Sequence, residues 1–117
     1  MIGHQKTHEL FFYKTASGKD IILNFIDQLD PPLQAKIRNT LRLLTDYGLK
    51  LLQTKSIKKI NKHPELFELR ITGSKQVRLL FCSMGNDFLI THIFVKKSKK
   101  TPPKHIHTAI KRTLEFL

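Results

Sequence analysis

The chain has 117 residues, 40% of them apolar, and 21 lysines and arginines against 9 aspartates and glutamates, a formal net charge of +12. That length is one domain's worth, residues 1–117, and the apolar share supports a core that needs neither metal nor disulfide. The single cysteine, Cys82, excludes an internal disulfide and fits a reducing compartment. No apolar run reaches the roughly 20 residues of a membrane span. The polar stretch Met1 to His8 lacks the apolar core of a secretory signal. The expected location is the cytoplasm.

The charge is unevenly placed. Residues 1–50 carry 7 basic and 5 acidic groups, whereas residues 51–117 carry 14 basic and 4 acidic groups, a local net of +10. Charge concentrated in one half of a small domain points to a polyanion-facing surface, and phosphate backbones are the commonest such partner. A solvated lysine-rich face is the plainer alternative.

In chain order, His8 to Tyr13 (HELFFY) is short, aromatic and apolar, as an opening strand is. Ser17 is placed as an N-cap with Asp20 in capping-box position, and Ile21, Ile22, Phe25, Ile26 and Leu29 recur at helical spacing over about three turns. Asp30-Pro31-Pro32 ends that helix and opens another, in which Leu33, Ile37, Leu41, Leu44 and Tyr47 form an apolar stripe and Gly48 supplies the stop. So tight a joint predicts a helical hairpin.

After Leu52 the period changes. Leu66 to Ile71 alternates, Gly73-Ser74 turns, Val77 to Cys82 is the next strand, Met84 to Asp87 turns again, and Phe88 to Val95 is a third strand. Short turns make these an antiparallel meander. Thr101-Pro102-Pro103 then caps a last helix, with Ile106, Ala109, Ile110, Thr113, Leu114 and Leu117 inward and Lys104, His107, Lys111 and Arg112 outward. The predicted order β-α-α-β-β-β-α is an α+β domain, a twisted antiparallel sheet with an N-terminal helical hairpin and a C-terminal helix.

The residues filling that order resemble the RelE/ParE toxin superfamily, in particular its HigB-like, phage-derived branch. The match is carried by Ser17-Gly18-Lys19, Leu66-Phe67-Glu68-Leu69-Arg70-Ile71, Val77-Arg78-Leu79-Leu80-Phe81, Phe94-Val95-Lys96-Lys97 and Lys100-Thr101-Pro102, in that order. The resemblance implies a RelE-like fold and the toxin of a type II toxin–antitoxin system. It implies a metal-independent mRNA endoribonuclease (an mRNA interferase) that needs no cofactor and works in association with the ribosome. Its partners would be mRNA, the ribosome and a cognate helix-turn-helix antitoxin. The superfamily also contains ParE-like gyrase inhibitors, and a non-catalytic nucleic-acid-binding module would use the same basic patches, so fold alone does not decide among the three.

Metal-free RNA cleavage needs a base for the 2′-OH, cations on the crowded phosphate and an acid for the departing 5′-oxygen. Arg78 is the first candidate, since it matches the family's phosphate-contacting arginine; the alternative is a strand arginine paired with a surface carboxylate. Arg70 matches a basic family position on the adjacent strand, with Glu68 two residues before it where some relatives carry lysine; an Arg70–Glu68 surface pair is the alternative. Lys96, Lys97, Lys99, Lys100 and Lys104 form a run without an acid. Such a cluster grips phosphates, and its like-charge field is what lowers a lysine's pKa towards that of a base, making Lys97 and Lys100 catalytic candidates. Phosphate gripping alone explains the cluster too. Lys55, Lys58, Lys59 and Lys62 form a second RNA-binding patch in the loop before the sheet.

Classical RelE-type enzymes place a tyrosine near the C-terminal end, whereas this chain has only Tyr13 and Tyr47. His92, with His105 or His107, is the candidate acid–base group in its place. A partly buried, hydrogen-bonded sheet histidine is the alternative for His92. No metal site is expected: His4 and His8 form one pair and His105 and His107 another, and neither makes a three- or four-ligand set.

Overall fold

The computed structural model describes residues 7–116; His4 and Leu117 lie outside them. Strand β1 (Leu10–Phe12) leads to α1 (Ile21–Asp27), α2 (Pro31–Tyr47) and a 3-10 turn over Gly48–Gln53. Four strands follow, β2 (Ile57–Asn61), β3 (Leu66–Thr72), β4 (Gln76–Met84) and β5 (Asp87–Val95), and then α3 (Pro103–Phe116). They form an α+β domain on one five-stranded sheet, ordered β1-β5-β4-β3-β2.

The meander β3-β4-β5 stands as the alternation predicts, with Met84 opposite Asp87 across a two-residue turn whose Gly85 has φ +61°. Two strands extend it. β1 joins β5 in parallel, Leu10 beside Phe88 and Phe12 beside Ile90, so the complete sheet is mixed rather than purely antiparallel. β2 adds the opposite edge, antiparallel to β3, where a loop was expected. A bulge interrupts its register between Lys59 and Asn61. Ile57 joins the core on one face of the sheet and Ile60 the core on the other, so the two isoleucines never read as one stripe.

Helices cover both faces. Ile22, Ile26, Leu33, Ile37 and Leu44 of α1 and α2 pack on Phe67, Leu69, Ile71, Val77, Leu79 and Phe81. On the other face Ala109 of α3 packs with Leu66, Leu80, Cys82, Leu89 and Phe94. α2 begins as its sequence indicates: Asp30 Oδ1 accepts the Leu33 N–H at 3.0 Å, and Gly48 ends the helix at φ +56°.

α1 begins differently. Ser17 does not cap it; Thr15 and Ser17 share a hydrogen bond, Gly18 sits at φ +85°, and Thr15 Oγ1 accepts the Lys19 N–H at 3.0 Å. That local turn engages the Ser17 hydroxyl, which a capping box would have used. The helix therefore starts at Ile21 and runs 7 residues, fewer than the three turns expected. Tyr47 is 52% exposed, outside the predicted stripe, because α2 ends there.

Candidate nucleic-acid interface

Directly opposed residues in an antiparallel sheet share a face, and the register places the candidate residues in rows. Arg70, Arg78 and Phe94 stand side by side across β3, β4 and β5. The next row runs Lys58, Glu68, Leu80 and His92. Both rows lie on the face that carries α3, and α3 packs over β4 and β5. The β2–β3 part of this face is left as the floor of a groove of about 330 Å³.

Six cations and one carboxylate line that groove. Lys58, Lys59 and Arg70 come from the sheet, Lys96, Lys99 and Lys100 from the segment after β5, and Glu68 lies between them. The two lysine patches, remote in sequence, therefore meet across one depression. Lys58 and Lys59 reach it because they belong to β2 rather than to a loop. Lys59 also pairs with Glu65 at 2.9 Å. Lys97 opens on a neighbouring depression with Gln76 and Ser98, and Lys62 on another beside Asn61. Lys55 and Lys104 are exposed outside the groove.

Glu68 is 1% exposed, so its pairing with Arg70 is not the surface contact the sequence left open. One carboxylate oxygen accepts Arg70 Nε at 3.2 Å and lies 3.8 Å from Arg78 Nε. The other accepts the Thr101 hydroxyl. Thr101, expected as a helix cap, instead ties the lysine segment to the sheet. Arg78 is only 6% exposed. Its terminal nitrogens donate to the Val77 carbonyl at 3.0 Å and to Gln76 Oε1 at 2.8 Å. Burial pulls its pKa down and the Glu68 charge pushes it back.

The histidines form a separate system at the α3 seam. Arg112, expected to face outward, turns inward: one terminal nitrogen donates to the Thr91 carbonyl at 2.9 Å, and the guanidinium lies 4.8 Å from the Tyr13 ring centre. The same nitrogen is 3.3 Å from His92 Nδ1, and His92 Nε2 meets His105 Nδ1 at 2.8 Å. His105 stacks on Phe94 with ring centres 3.8 Å apart. Burial, then Arg112, then His105 hold the His92 pKa down at about 4. His105 is lowered as well, by burial and by Lys104. Arg112 can only donate, so His92 Nδ1 accepts and its Nε2 carries the proton given to His105. At neutral pH His92 is an uncharged link in this chain. His107 is exposed on α3.

Glu68, Thr101 and Arg112 are the residues whose surroundings sequence alone does not reveal. Alternation does put Glu68 on the face of Arg70, but not its burial, which depends on the segment folded over it. Among the described residues no three His, Cys, Asp or Glu side chains come together. None of the helices described is long and apolar enough to cross a membrane.

Residues 24–114 match the family model described as phage derived protein Gp49-like (DUF891). The chain belongs to the Gp49-like family. This is a phage-derived, toxin-like family of the RelE/HigB kind. The Gp49-like match spans α2, the whole of β2 to β5 and most of α3, and so includes every residue lining the groove. No curated protein matches the chain.

Proposed function

We propose that this Gp49-like chain is the toxin of a type II toxin–antitoxin pair and acts as a metal-independent endoribonuclease on mRNA. It works in the cytoplasm on ribosome-associated message and is silenced by a helix-turn-helix antitoxin. The observation that carries this reading is the groove in which six cations from two lysine patches and β3 surround one depression. A polyanion threaded there exchanges condensed counterions for fixed charges, which drives binding without sequence readout. The RNA's own 2′-OH is the nucleophile; the protein fixes the phosphate and stabilises its developing charge. The step is complete only when a base takes the 2′-OH proton and an acid protonates the departing 5′-oxygen. Arg70 and the lysines Lys96, Lys99 and Lys100 are the contacts available for this. Arg78 reinforces their field from behind. An acidic antitoxin surface would bind the same face, since complementary charge speeds encounter and selects partners.

The test is to incubate the purified chain with mRNA and excess chelator, with and without translating ribosomes, and to map the ends. Cleavage that persists in chelator and leaves 2′,3′-cyclic phosphates is the expected result. Intact RNA under both conditions, with loss of gyrase supercoiling in a parallel assay, would replace the ribonuclease with a topoisomerase-directed toxin.

A further inference from the structure

Glu68 places an anion in a groove built of cations, where its charge alone opposes phosphate binding. Its contacts suggest why it is there. Arg70 is tied to Glu68 through Nε, at 3.2 Å, and its two terminal nitrogens have no hydrogen-bond partner among the described residues. Its side chain is 33% exposed and lines the groove. Arg78 is the reverse. Both terminal nitrogens are spent on Val77 and Gln76, and its side chain is 7% exposed. A guanidinium held at Nε keeps a planar, two-nitrogen fork aimed outward, the shape that grips two phosphate oxygens. The second oxygen of Glu68 takes the Thr101 hydroxyl, at the end of the segment that brings Lys96, Lys99 and Lys100 to the opposite wall.

Resting on the RNA reading above, we infer that Glu68 is a positioning residue: it aims Arg70 as the phosphate-gripping arginine and pins the lysine wall across from it. Arg78 is then a buried strut. By sequence alone Arg78 comes first; its burial and the exposure of Arg70 reverse that order. A positioning role for Glu68 also gives a sign that simple electrostatics does not. Removing an acid from a cationic groove should tighten RNA binding, whereas removing a positioning residue should loosen it.

The experiment uses a fluorescent single-stranded RNA with 2′-O-methyl groups, which cannot be cleaved because its nucleophile is blocked. Its affinity is measured by anisotropy for the intact chain, Glu68→Gln, Arg70→Gln and the double variant, all below their melting temperatures. Glu68→Gln should weaken binding about tenfold despite the loss of a negative charge, the size of one charge-assisted contact. Arg70→Gln should weaken it similarly and flatten the log affinity against log salt slope by about 0.7. In the Arg70→Gln background the effect of Glu68→Gln should change sign, to tighter binding, because the glutamine amide oxygen still accepts the Thr101 hydroxyl and only the negative charge is lost. Tighter binding by Glu68→Gln with Arg70 present overturns the positioning role and leaves the RNA reading standing. No binding by the intact chain overturns the RNA reading, and the phosphate grip with it. A measurement on the unsubstituted chain guards against variants that fail to fold: an arginine-selective dicarbonyl should modify Arg70 and spare Arg78. Equal modification of the two would overturn their division.

Discussion

Arg78 and His92 show how burial redirects residues that look reactive in sequence. Arg78 faces Glu68 from 6% exposure, so replacing it removes packing and one of the charges that balance a buried carboxylate. We expect Arg78→Ala to lose about 3 kcal/mol of stability in urea denaturation. A loss below about 1 kcal/mol would mean that Glu68 is balanced by Arg70 alone. For His92 the effect is on pH dependence. An unfolded chain's histidine takes up a proton near pH 6.5, whereas His92 resists protonation down to about 4. Stability is therefore full above about pH 6.5 and falls as pH drops towards 4, by on the order of 2 kcal/mol after allowing for partial solvent screening. His105, lowered by burial and Lys104, adds in the same direction. Denaturation midpoints between pH 7 and pH 4.5 should fall for the unsubstituted chain and flatten in His92→Gln; parallel curves would remove His92 as the cause.

At the scale of elements, periodicity located the helices and the meander, and backbone chemistry set their ends. Gly48 ends α2 at φ +56°, and a Cβ there would lie 2.5 Å from the His8 ring. Gly18 has φ +85° with nothing within 4 Å of an added Cβ. Both substitutions to alanine bear the left-handed backbone cost of about 1–2 kcal/mol, and Gly48→Ala adds the displacement of His8. Gly48→Ala should therefore destabilise the chain more than Gly18→Ala. Equal losses on urea denaturation would show that His8 moves freely. β2 escaped the sequence reading for a physical reason. Ile57 and Ile60 are three residues apart and so face opposite sides of the sheet, and the two lysines between them leave the strand no apolar stripe to read. β1 showed its apolar composition but not its partner, because a parallel neighbour arrives from far along the chain without a turn to announce it.

At the scale of the whole molecule, the charge asymmetry acquires a shape. Lys96 and Lys100 line the groove, whereas Lys97 points to the neighbouring depression and Lys50 lies on the 3-10 turn. If single-stranded RNA runs through the groove, Lys96→Gln with Lys100→Gln should flatten the log affinity against log salt slope by roughly 1.4, two contacts' worth. Adding Lys97→Gln should change it little, and Lys50→Gln alone should leave it unaltered. Equal slopes for the Lys50 and the Lys96/Lys100 variants would mean that the charge acts diffusely and that the groove is not the path.

The sequence by itself determined the α+β class, the two N-terminal helices, the meander and the concentration of positive charge after residue 50. These rest on local periodicity, turn chemistry and composition, which need no knowledge of distant contacts. Which cations share a surface was decided only by tertiary structure. The register sets Arg70 beside Arg78, the added edge strand brings Lys58 and Lys59 to the lysines after β5, and Thr101 closes over Glu68. Exposure was decided there too. Arg70 and Arg78 have the same side chain and adjacent places in one row, yet one opens on the groove and the other lies beneath it. A residue's type sets the chemistry available to it, but solvent access depends on what the rest of the chain lays over it.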